Sequence, residues 1–390
     1  MIPTQAAHRV ALPDAPHNLT QHELEAMRAR FNLAAAHSRV PAPPAVVDRL
    51  PELWRAAERN PQQEMEERFL AAFFRLHRQP TAAALGRTLL SYSASVAVQV
   101  AATLLMQRGA SVALIEPCVD NVADILRHQR VRTQPLDESL LRDASSIYGR
   151  LATQPATDAV FLVDPNNPTG TSLLSHGRAG FEEVVRFCAD HGRILVLDLS
   201  FAVFALGGGG PERFDLYQLL EDSGVSYLAI EDTGKTWPIR DAKCAMLTVS
   251  RDLWPDVLDI HTSVLLSVSP FVLGLLTAHA DASAEDGYAA GRELIRGNRE
   301  VAVRTLEGSV LIHQPPSVPV SVGWFRIADP RLAATPLHER LAAADVYALP
   351  GTYFYWASPA RGERFLRIAL ARDPGVFAEG LHRLRAVLDR

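Results

Sequence analysis

The sequence contains few cysteines. Its 390 residues include only three, Cys118, Cys188 and Cys244, which show no C-x-x-C spacing and have no histidine cluster beside them. This pattern argues against a disulfide framework and against a zinc site, and it is typical of a protein that works in the reducing cytoplasm. We therefore expect a cytoplasmic protein without a bound metal.

Long hydrophobic runs are also missing. No segment approaches the roughly 18 apolar residues of a membrane-spanning helix, and residues 1–21 lack the apolar core of a signal peptide. The basic residues are scattered and the formal net charge is −5, so neither a nucleic acid nor a membrane is an expected partner. With 48% apolar and 21% charged residues, the composition predicts a soluble globular protein with a sizeable core.

The N-terminal part of the chain has helical patterns separated by proline. Residues 1–17 are expected to be mobile, and Asn18 is a candidate cap for a helix that continues to about Ala36. The stretch Val40–Pro44 predicts a linker, and a helical block is expected from Pro44 to Gln79.

From about Arg87, short apolar runs alternate with amphipathic stretches, which predicts a parallel sheet covered by helices on both faces. The expected strands are Thr88–Tyr92, Val112–Glu116, Ala159–Asp164, Ile194–Asp198, Tyr227–Glu231 and Ala245–Ser250. The expected helices include Ser95–Arg108, Asn121–His128, Phe181–His191 and Asp215–Ser223. A long helix at Ala284–Glu307, mixed strands and a capped helix at Pro374–Asp389 predict a further α+β domain. The expected organisation is an N-terminal segment and helix (1–44), a large domain (45–277) and a small domain (278–390).

Polar residues fall at the carboxyl ends of expected strands, where open α/β sheets bind their ligands. Asp198 follows Ile194–Leu197 and is either a solvated loop residue or a carboxylate that keeps a pyridine ring nitrogen protonated. Asn167 lies in the stretch Asp164–Gly170, which is either an ordinary turn or the source of an amide donor to a cofactor's phenolic oxygen.

A lysine and a serine-rich turn complete the set. Lys235 follows the strand Tyr227–Glu231; such a lysine is usually a surface residue, but a partly desolvated one can act as a nucleophile toward an aldehyde. Ser93, Ala94 and Ser95 precede a helix, so they either cap it or hold a phosphate together with the helix N-terminus.

The order of these motifs resembles a known family. A serine-rich turn, an Asn-Pro-Thr-Gly motif, an aspartate, a lysine and a late arginine, Arg367, follow one another as in the fold-type I pyridoxal phosphate enzymes, the class I/II aminotransferase superfamily. The resemblance covers roughly residues 45–390. It implies an α/β fold with a large domain, whose mostly parallel seven-stranded sheet lies between helices, and a smaller α+β C-terminal domain.

The resemblance also implies pyridoxal 5'-phosphate as cofactor. Lys235 would bond to its aldehyde, Asp198 would pair with its ring nitrogen and Asn167 with its phenolic oxygen. Arg367 would bind the substrate α-carboxylate through a bidentate pair, although an arginine on a late strand is otherwise a surface residue. The remaining cofactor-binding residues implied are Ser93, Ala94, Ser95, Val119, Ser200 and Lys243.

Several positions depart from an ordinary aminotransferase. Phe201 stands where a tyrosine often binds the phenolic oxygen, Val119 where an aromatic ring commonly stacks on the cofactor, and Lys243 where an arginine binds phosphate. Asp232 stands where a phosphate-binding serine is usual, and repulsion from a phosphate would turn it toward substrate. Together with Glu231 it is either complementary to a cationic side chain such as guanidinium or part of a solvated acidic turn.

A closer resemblance covers nearly the whole chain. The segments Asn18–Gln21, Asn32–Arg39, Val119–Asp124 and Ile230–Pro238 are similar to a small group of pyridoxal phosphate- and dioxygen-dependent L-arginine oxidases of natural-product (antibiotic) biosynthesis. This group forms hydroxylated or desaturated 2-oxo acids without a metal or flavin. Dioxygen is then the cosubstrate and hydrogen peroxide an expected coproduct.

The closer resemblance implies a lid built from the N-terminal segment. Thr20, Glu23 and Asp232 would contact the guanidinium of arginine, and His37 would serve as an acid/base or oxygen-reactivity residue. Without the resemblance, His37 would be taken as a satisfied histidine on a helix. Ala35 departs from the group, which can carry an acid at that position.

Other functions stay open. A conventional aminotransferase of a basic amino acid would need a 2-oxo acid acceptor, and a lyase or cyclase of the capreomycidine-synthase type would consume no oxygen. A cofactor-sensing regulator is disfavoured because Lys235 is retained and no basic DNA-binding extension is present. A homodimer or a dimer of dimers is expected, with Thr262–Pro270 as a candidate contribution to the neighbouring subunit.

Overall fold

A computed structural model describes residues 16–207, 213–239 and 241–390. All but the last two residues of the stretch 1–17, which was predicted to be mobile, lie outside these ranges. Within the described ranges, none of the helices combines the length and the apolar character needed to cross a membrane.

The described residues form thirteen strands. In chain order these are β1 (Phe31–Asn32), β2 (Thr88–Ser91), β3 (Ser111–Glu116), β4 (Arg132–Asp137), β5 (Ala159–Val163), β6 (Ile194–Asp198), β7 (Tyr227–Asp232), β8 (Ala245–Val249), β9 (Leu311–Gln314), β10 (Val322–Ile327), β11 (Val346–Tyr347), β12 (Leu349–Pro350) and β13 (Phe365–Ala369).

The α-helices of the described ranges carry the labels α1 to α16. They are α1 (Leu19–Ala26), α2 (Pro44–Val47), α3 (Leu50–Arg59), α4 (Gln62–Leu76), α5 (Pro80–Ala84), α6 (Ala94–Gln107), α7 (Asp120–His128), α8 (Ile147–Ala152), α9 (Arg178–Asp190), α10 (Leu216–Ser223), α11 (Trp254–Val264), α12 (Pro270–Asp286), α13 (Ala289–Leu306), α14 (Ala334–Ala343), α15 (Pro359–Gly362) and α16 (Pro374–Leu388).

The large sheet has seven strands in the order β2-β8-β7-β6-β5-β3-β4. Strand β8 runs antiparallel to both of its neighbours, while the pairs from β7 to β4 are parallel. Strands β5, β6 and β7 are buried along their whole length, which is why their sequences are nearly continuous apolar runs. The predicted α/β fold with a mostly parallel seven-stranded sheet is confirmed.

Strand β4 was not among the expected strands. It carries Arg132, Gln134 and Pro135, and all of its residues except Leu136 are exposed or partly exposed because it lies at the edge of the sheet. Proline is tolerated at such an edge, where the ladder needs fewer N–H donors.

The C-terminal residues form an antiparallel sheet in the order β12-β13-β10-β9. Helix α16 begins after Asp373, whose carboxylate accepts hydrogen bonds from the Gly375 and Val376 amides, as predicted for a capped start at Pro374. The domain boundaries at 44/45 and 277/278 stay a prediction, and α12 continues across the second of them.

Three predicted helices are wrong in extent. The helix expected to reach Ala36 ends at Ala26, because the following segment pairs through β1 with β11. The block Pro44–Gln79 is divided into α2, α3 and α4, since Pro44, Pro51 and Pro61 stand within one residue of helix starts. The helix expected at Ala284–Glu307 is interrupted between α12 and α13 by Gly287 and Tyr288, which both have positive φ (61° and 65°).

Candidate active site

A cleft lies at the carboxyl ends of β5, β6 and β7, on the side covered by α1. The site residues predicted from the sequence line it, with the exception of Glu231. These residues are Thr20, Glu23, His37, Ser93, Ala94, Ser95, Val119, Asn167, Asp198, Ser200, Asp232, Lys235, Lys243 and Arg367. The structure therefore brings the predicted residues together from widely separated stretches of the chain, although it does not by itself assign their roles.

Lys235 and His37 lie next to each other in the cleft. The Lys235 Nζ atom is 3.3 Å from His37 Nε2, and the Asp232 Oδ2 atom is 3.9 Å from the same lysine nitrogen. The Lys235 charge, followed by burial and the Lys243 charge, lowers the pKa of His37 to about 2. At that pKa His37 is neutral and only weakly basic, and it would become a useful proton acceptor once the lysine nitrogen lost its charge, because its pKa would then rise.

A buried arginine fixes the chain around His37. Arg372 is 4% exposed, and its guanidinium donates to the carbonyl oxygens of Asn32 (2.6 Å), His37 (2.9 Å) and Ala35. The segment that carries His37 is therefore held by three charge-assisted hydrogen bonds. Sequence reasoning missed Arg372, because nothing local links it to a carbonyl that lies 335 residues earlier in the chain.

Asp198 ends β6 and is 5% exposed. The Ser200 amide and hydroxyl donate to its Oδ1 atom at 2.9 and 2.5 Å. Burial raises the pKa of Asp198, and the Ser200 hydrogen bonds and the Lys235 charge oppose that increase. Both hydrogen bonds from Ser200 engage Oδ1, so Oδ2 is the oxygen available to a cationic N–H group.

Asn167 and Arg367 form a connected pair at the other wall of the cleft. Arg367, on β13, is 1% exposed, and its Nη1 donates to Asn167 Oδ1 at 3.2 Å. Its Nη2 donates to the Ala34 carbonyl and to Glu23 Oε1, the latter at 3.4 Å. Because the Asn167 oxygen accepts from Arg367, the orientation of the amide is set and its N–H donors are left for another partner.

Small polar groups surround the start of α6. Ser93 is the N-cap and accepts from the Val96 amide at 3.4 Å, while the Ser95 hydroxyl accepts from Asn121 Nδ2 at 3.0 Å. The first amides of a helix lack partners within the helix and favour an anion. Lys243 adds a cation at the cleft, and its Nζ lies 3.1 Å from an Asp241 carboxylate oxygen.

The N-terminal segment 18–37, called the lid below, covers the cleft with its helix α1. Asn18 caps it by accepting from the Gln21 amide at 2.9 Å, as the sequence predicted. On its buried side, His22 Nδ1 lies 2.8 Å from the Tyr347 hydroxyl, which also donates to Glu25 at 2.8 Å. Thr20 is exposed at the cleft rim, whereas Glu23 reaches inward to Arg367.

Glu231 neither faces the cleft nor lies in a solvated turn, so both interpretations offered for it, charge for a cationic substrate and part of a solvated acidic turn, are wrong. It is fully buried, with Arg213 Nη2 at 2.9 Å from one carboxylate oxygen and His77 Nδ1 at 3.3 Å from the other. Successive residues of a strand point to opposite faces, so Glu231 and Asp232 at the end of β7 have different surroundings. Asp232 lines the cleft and is 3% exposed.

Two further polar residues of the cleft were not predicted as site residues. Asp120 and Asn121 line it at the start of α7, just beyond β3. The signal that identified Asp198 and Asn167, a polar residue after a buried strand, was also present here.

The residues of the cleft fit pyridoxal phosphate in their chemistry. A lysine amine, a buried carboxylate and an amide with free N–H donors can serve its aldehyde, ring nitrogen and phenolic oxygen. The α6 N-terminus and Lys243 can serve its phosphate. Val119 and Phe201 are apolar residues of the same cleft, so the cofactor would meet apolar side chains there and would lack a tyrosine hydroxyl at position 201.

Comparison with known proteins places this geometry in context. Residues 29–384 match the family described as aminotransferase class I and II. The curated relatives match only over short regions. The L-glutamine–4-(methylsulfanyl)-2-oxobutanoate aminotransferase of Bacillus subtilis (strain 168) is 30% identical over 110 residues, which is 28% of this chain and 26% of the relative. A probable LL-diaminopimelate aminotransferase of Oryza sativa subsp. japonica is 30% identical over 22% of this chain, and that match spans only 17% of its own length.

Solved structures match over nearly the whole chain. MppP soaked with the product 2-ketoarginine superimposes with a TM-score of 0.82 at 33% identity, covering 92% of this chain and 99% of that chain. The aspartate aminotransferase from Thermus thermophilus with maleate has a TM-score of 0.78 at 17% identity, over 96% of this chain and 97% of that chain. The second likeness supports the fold alone.

Proposed function

The chain belongs to the class I and II aminotransferase family, and from this premise we propose that it is a pyridoxal phosphate enzyme that oxidises L-arginine with dioxygen. The products would be a hydroxylated or desaturated 2-oxo acid and hydrogen peroxide. The observation that carries the proposal is the docked lid, which brings His37 to 3.3 Å from Lys235 and Glu23 into contact with Arg367. The likeness to MppP, with its product 2-ketoarginine, supports an arginine-derived product.

Arg367 is proposed to bind the substrate α-carboxylate. Its Nε is buried without a hydrogen-bond partner in the described part of the chain, and its Nη2 is shared with Glu23. A carboxylate of the substrate would replace Glu23 and form a better bidentate pair. Glu23 would then be free to contact the cationic side chain of the same substrate, together with Thr20 and Asp232.

When bound, the cofactor supplies an electron-accepting ring that makes the substrate α-proton removable. Asp198 would hold a proton at the ring nitrogen, Asn167 would donate to the phenolic oxygen, and Ser93, Ser95, Ser200 and Lys243 would hold the phosphate. Lys235 would carry the cofactor and move the substrate α-proton. His37, neutral and next to Lys235, accepts or returns further protons on the same side of the cleft.

The docked lid has a second task in this proposal. Because α1 lies over the cleft, it limits the entry of bulk water to reactive substrate carbons and keeps side-chain contacts in a low-dielectric site.

A dimer is also proposed. Leu266, within the segment Thr262–Pro270, is 97% exposed, and Val264 is 53% exposed. Exposed apolar side chains in one short segment favour burial against a second copy of the chain. Sedimentation equilibrium of the wild type and of Leu266→Asp would test this, with a shift toward monomer expected for the variant.

The proposed activity is tested by product analysis. Purified holoenzyme is incubated with L-arginine in air and under argon, without any 2-oxo acid acceptor, and the products are identified by mass spectrometry. Oxidised 2-oxo acids formed only in air would support the proposal, and the masses would separate hydroxylation from desaturation. Conversion only after an acceptor is added would instead identify an aminotransferase of a basic amino acid, the activity class named for the curated relatives.

A further inference from the structure

Asp120 occupies an unusual position between the lid and the cleft. It is the first residue of α7, it is 6% exposed, and it lines the cleft together with Glu23 and Arg367. Its Oδ2 atom accepts a hydrogen bond of 2.7 Å from the amide of Leu19, the first residue of α1. One carboxylate therefore faces the N-terminal ends of two helices, α1 and α7, whose dipoles favour a negative charge.

The second oxygen of Asp120 has no such partner. Oδ1 is buried, and no hydrogen bond reaches it from the described residues. A buried carboxylate oxygen without a donor is costly, so a native structure that keeps one has a reason to do so. The cleft on which Asp120 borders is where a cationic substrate would lie.

The raised pKa of Asp120 is also consistent with a cation binding in the cleft. Burial raises its pKa to about 7; the Leu19 amide opposes the increase, while the charges of Asp124 and Glu23 add to it. A cation in the cleft would lower this pKa and hold the carboxylate in its ionised form, which is also the better acceptor for the Leu19 amide.

We propose that Asp120 is a specificity residue that couples recognition of the substrate's side-chain cation to docking of the lid helix. Oδ1 contacts the cation of a basic amino acid, while Oδ2 holds the N-terminus of α1. The inference rests on the proposed arginine-oxidising function and extends it, since a substrate without a side-chain cation would leave Oδ1 unpaired and the lid less firmly held.

The test is Asp120→Asn in the holoenzyme, with Asp124→Asn as the matched control. The asparagine side chain of the first variant retains an acceptor oxygen for the Leu19 amide but loses the charge. Asp124 lies one helical turn further on in α7, contacts Arg127 at 2.7 Å and does not line the cleft, so its substitution removes the same charge nearby. Dissociation constants for L-arginine and for its uncharged isostere L-citrulline are measured anaerobically, by calorimetry and by the change in cofactor absorbance.

For Asp120→Asn we expect arginine binding to weaken by about 10- to 100-fold, as for loss of a hydrogen bond to a charged group, with citrulline binding changed less than about threefold. Asp124→Asn should change the ratio of the two constants little. Limited proteolysis of the lid should show arginine protecting α1 in the wild type and less so in Asp120→Asn.

Two results would overturn the inference. Equal weakening of arginine and citrulline binding would make Asp120 a cap of the lid helix and nothing more, and unchanged binding of both would remove it from the site. If the wild type itself fails to prefer arginine over citrulline, the proposed substrate is wrong, and the inference about Asp120 falls with it whatever the variants do.

Discussion

The neighbouring acids Glu231 and Asp232 have different surroundings, and the substitution Glu231→Gln tests this difference. Glu231 is fully buried, and Arg213 Nη2 lies 2.9 Å from its Oε1. Glu231→Gln would leave the Arg213 guanidinium, which is 3% exposed, without a counter-charge. Removing one partner of a buried ion pair costs about 3–5 kcal/mol in the free energy of unfolding. Arginine binding should be unaffected in the protein that remains folded.

The assay is thermal unfolding of the holoenzyme followed by circular dichroism. A loss of about 3–5 kcal/mol corresponds to a decrease in Tm of about 4–6 °C for a chain of 390 residues. Arg213→Met should cost a similar amount, and the double variant should cost less than the sum of the two, because the two residues share one interaction. Asp232→Asn is the control: one of its buried oxygens lacks a partner, so this variant should keep its Tm and weaken arginine binding.

The pH dependence of this pair has a definite sign. Burial alone would raise the pKa of Glu231, but the charges of Arg213 and His77 hold it below its ordinary value of 4.5. The stabilisation by Glu231 is therefore complete above that value and is lost as the pH falls through the lower pKa of the folded state. A Glu231→Gln variant that unfolds within about 2 °C of the wild type, but binds arginine more weakly, would refute this account.

Two other predictions concern the lid and the carboxylate site. Burial, followed by the charge of His338, lowers the pKa of His22 to about 4 from 6.5, so the docked state of α1 should weaken as the pH falls from 6.5 toward 4. Proteolysis of the lid should show this in Asp120→Asn, which lacks the opposite contribution of Asp120, whose pKa is raised to about 7. Adding His22→Phe to that variant should remove the remaining pH dependence. Arg367→Lys should raise KM for L-arginine by about 10- to 100-fold but leave binding of agmatine, which lacks the carboxylate, almost unchanged; equal effects on both would contradict the assigned contact.

Much of the site could be predicted because it depends on local patterns. Asp198 and Asn167 follow buried apolar strands, and the carboxyl ends of parallel strands meet at one edge of the sheet. Their order along the chain, together with Lys235 and Arg367, was enough to indicate the fold. The seven-stranded sheet then brought them into one cleft.

The features that could not be predicted depend on distant partners. The Leu19 amide donates a hydrogen bond to Asp120, which is 101 residues away, and the carbonyl of His37 accepts one from Arg372, which is 335 residues away. The segment after Ala26 was expected to be helical, but it pairs as a strand with β11, since backbone hydrogen bonds to Asp345 and Tyr347 outweigh a weak helical propensity. Glu231 was misjudged because the end of β7 was placed one residue too early, so the opposite faces of Glu231 and Asp232 were not considered.

The central claim is that dioxygen oxidises arginine in this enzyme. Measuring oxygen uptake with an oxygen electrode tests it most directly. Holoenzyme is mixed with L-arginine in air-saturated buffer without any 2-oxo acid, with Lys235→Ala as the control for background consumption. We expect oxygen uptake that depends on arginine, partial return of oxygen when catalase is added, and no uptake by Lys235→Ala. Arginine turnover without oxygen uptake, or turnover that begins only when a 2-oxo acid is supplied, would contradict it.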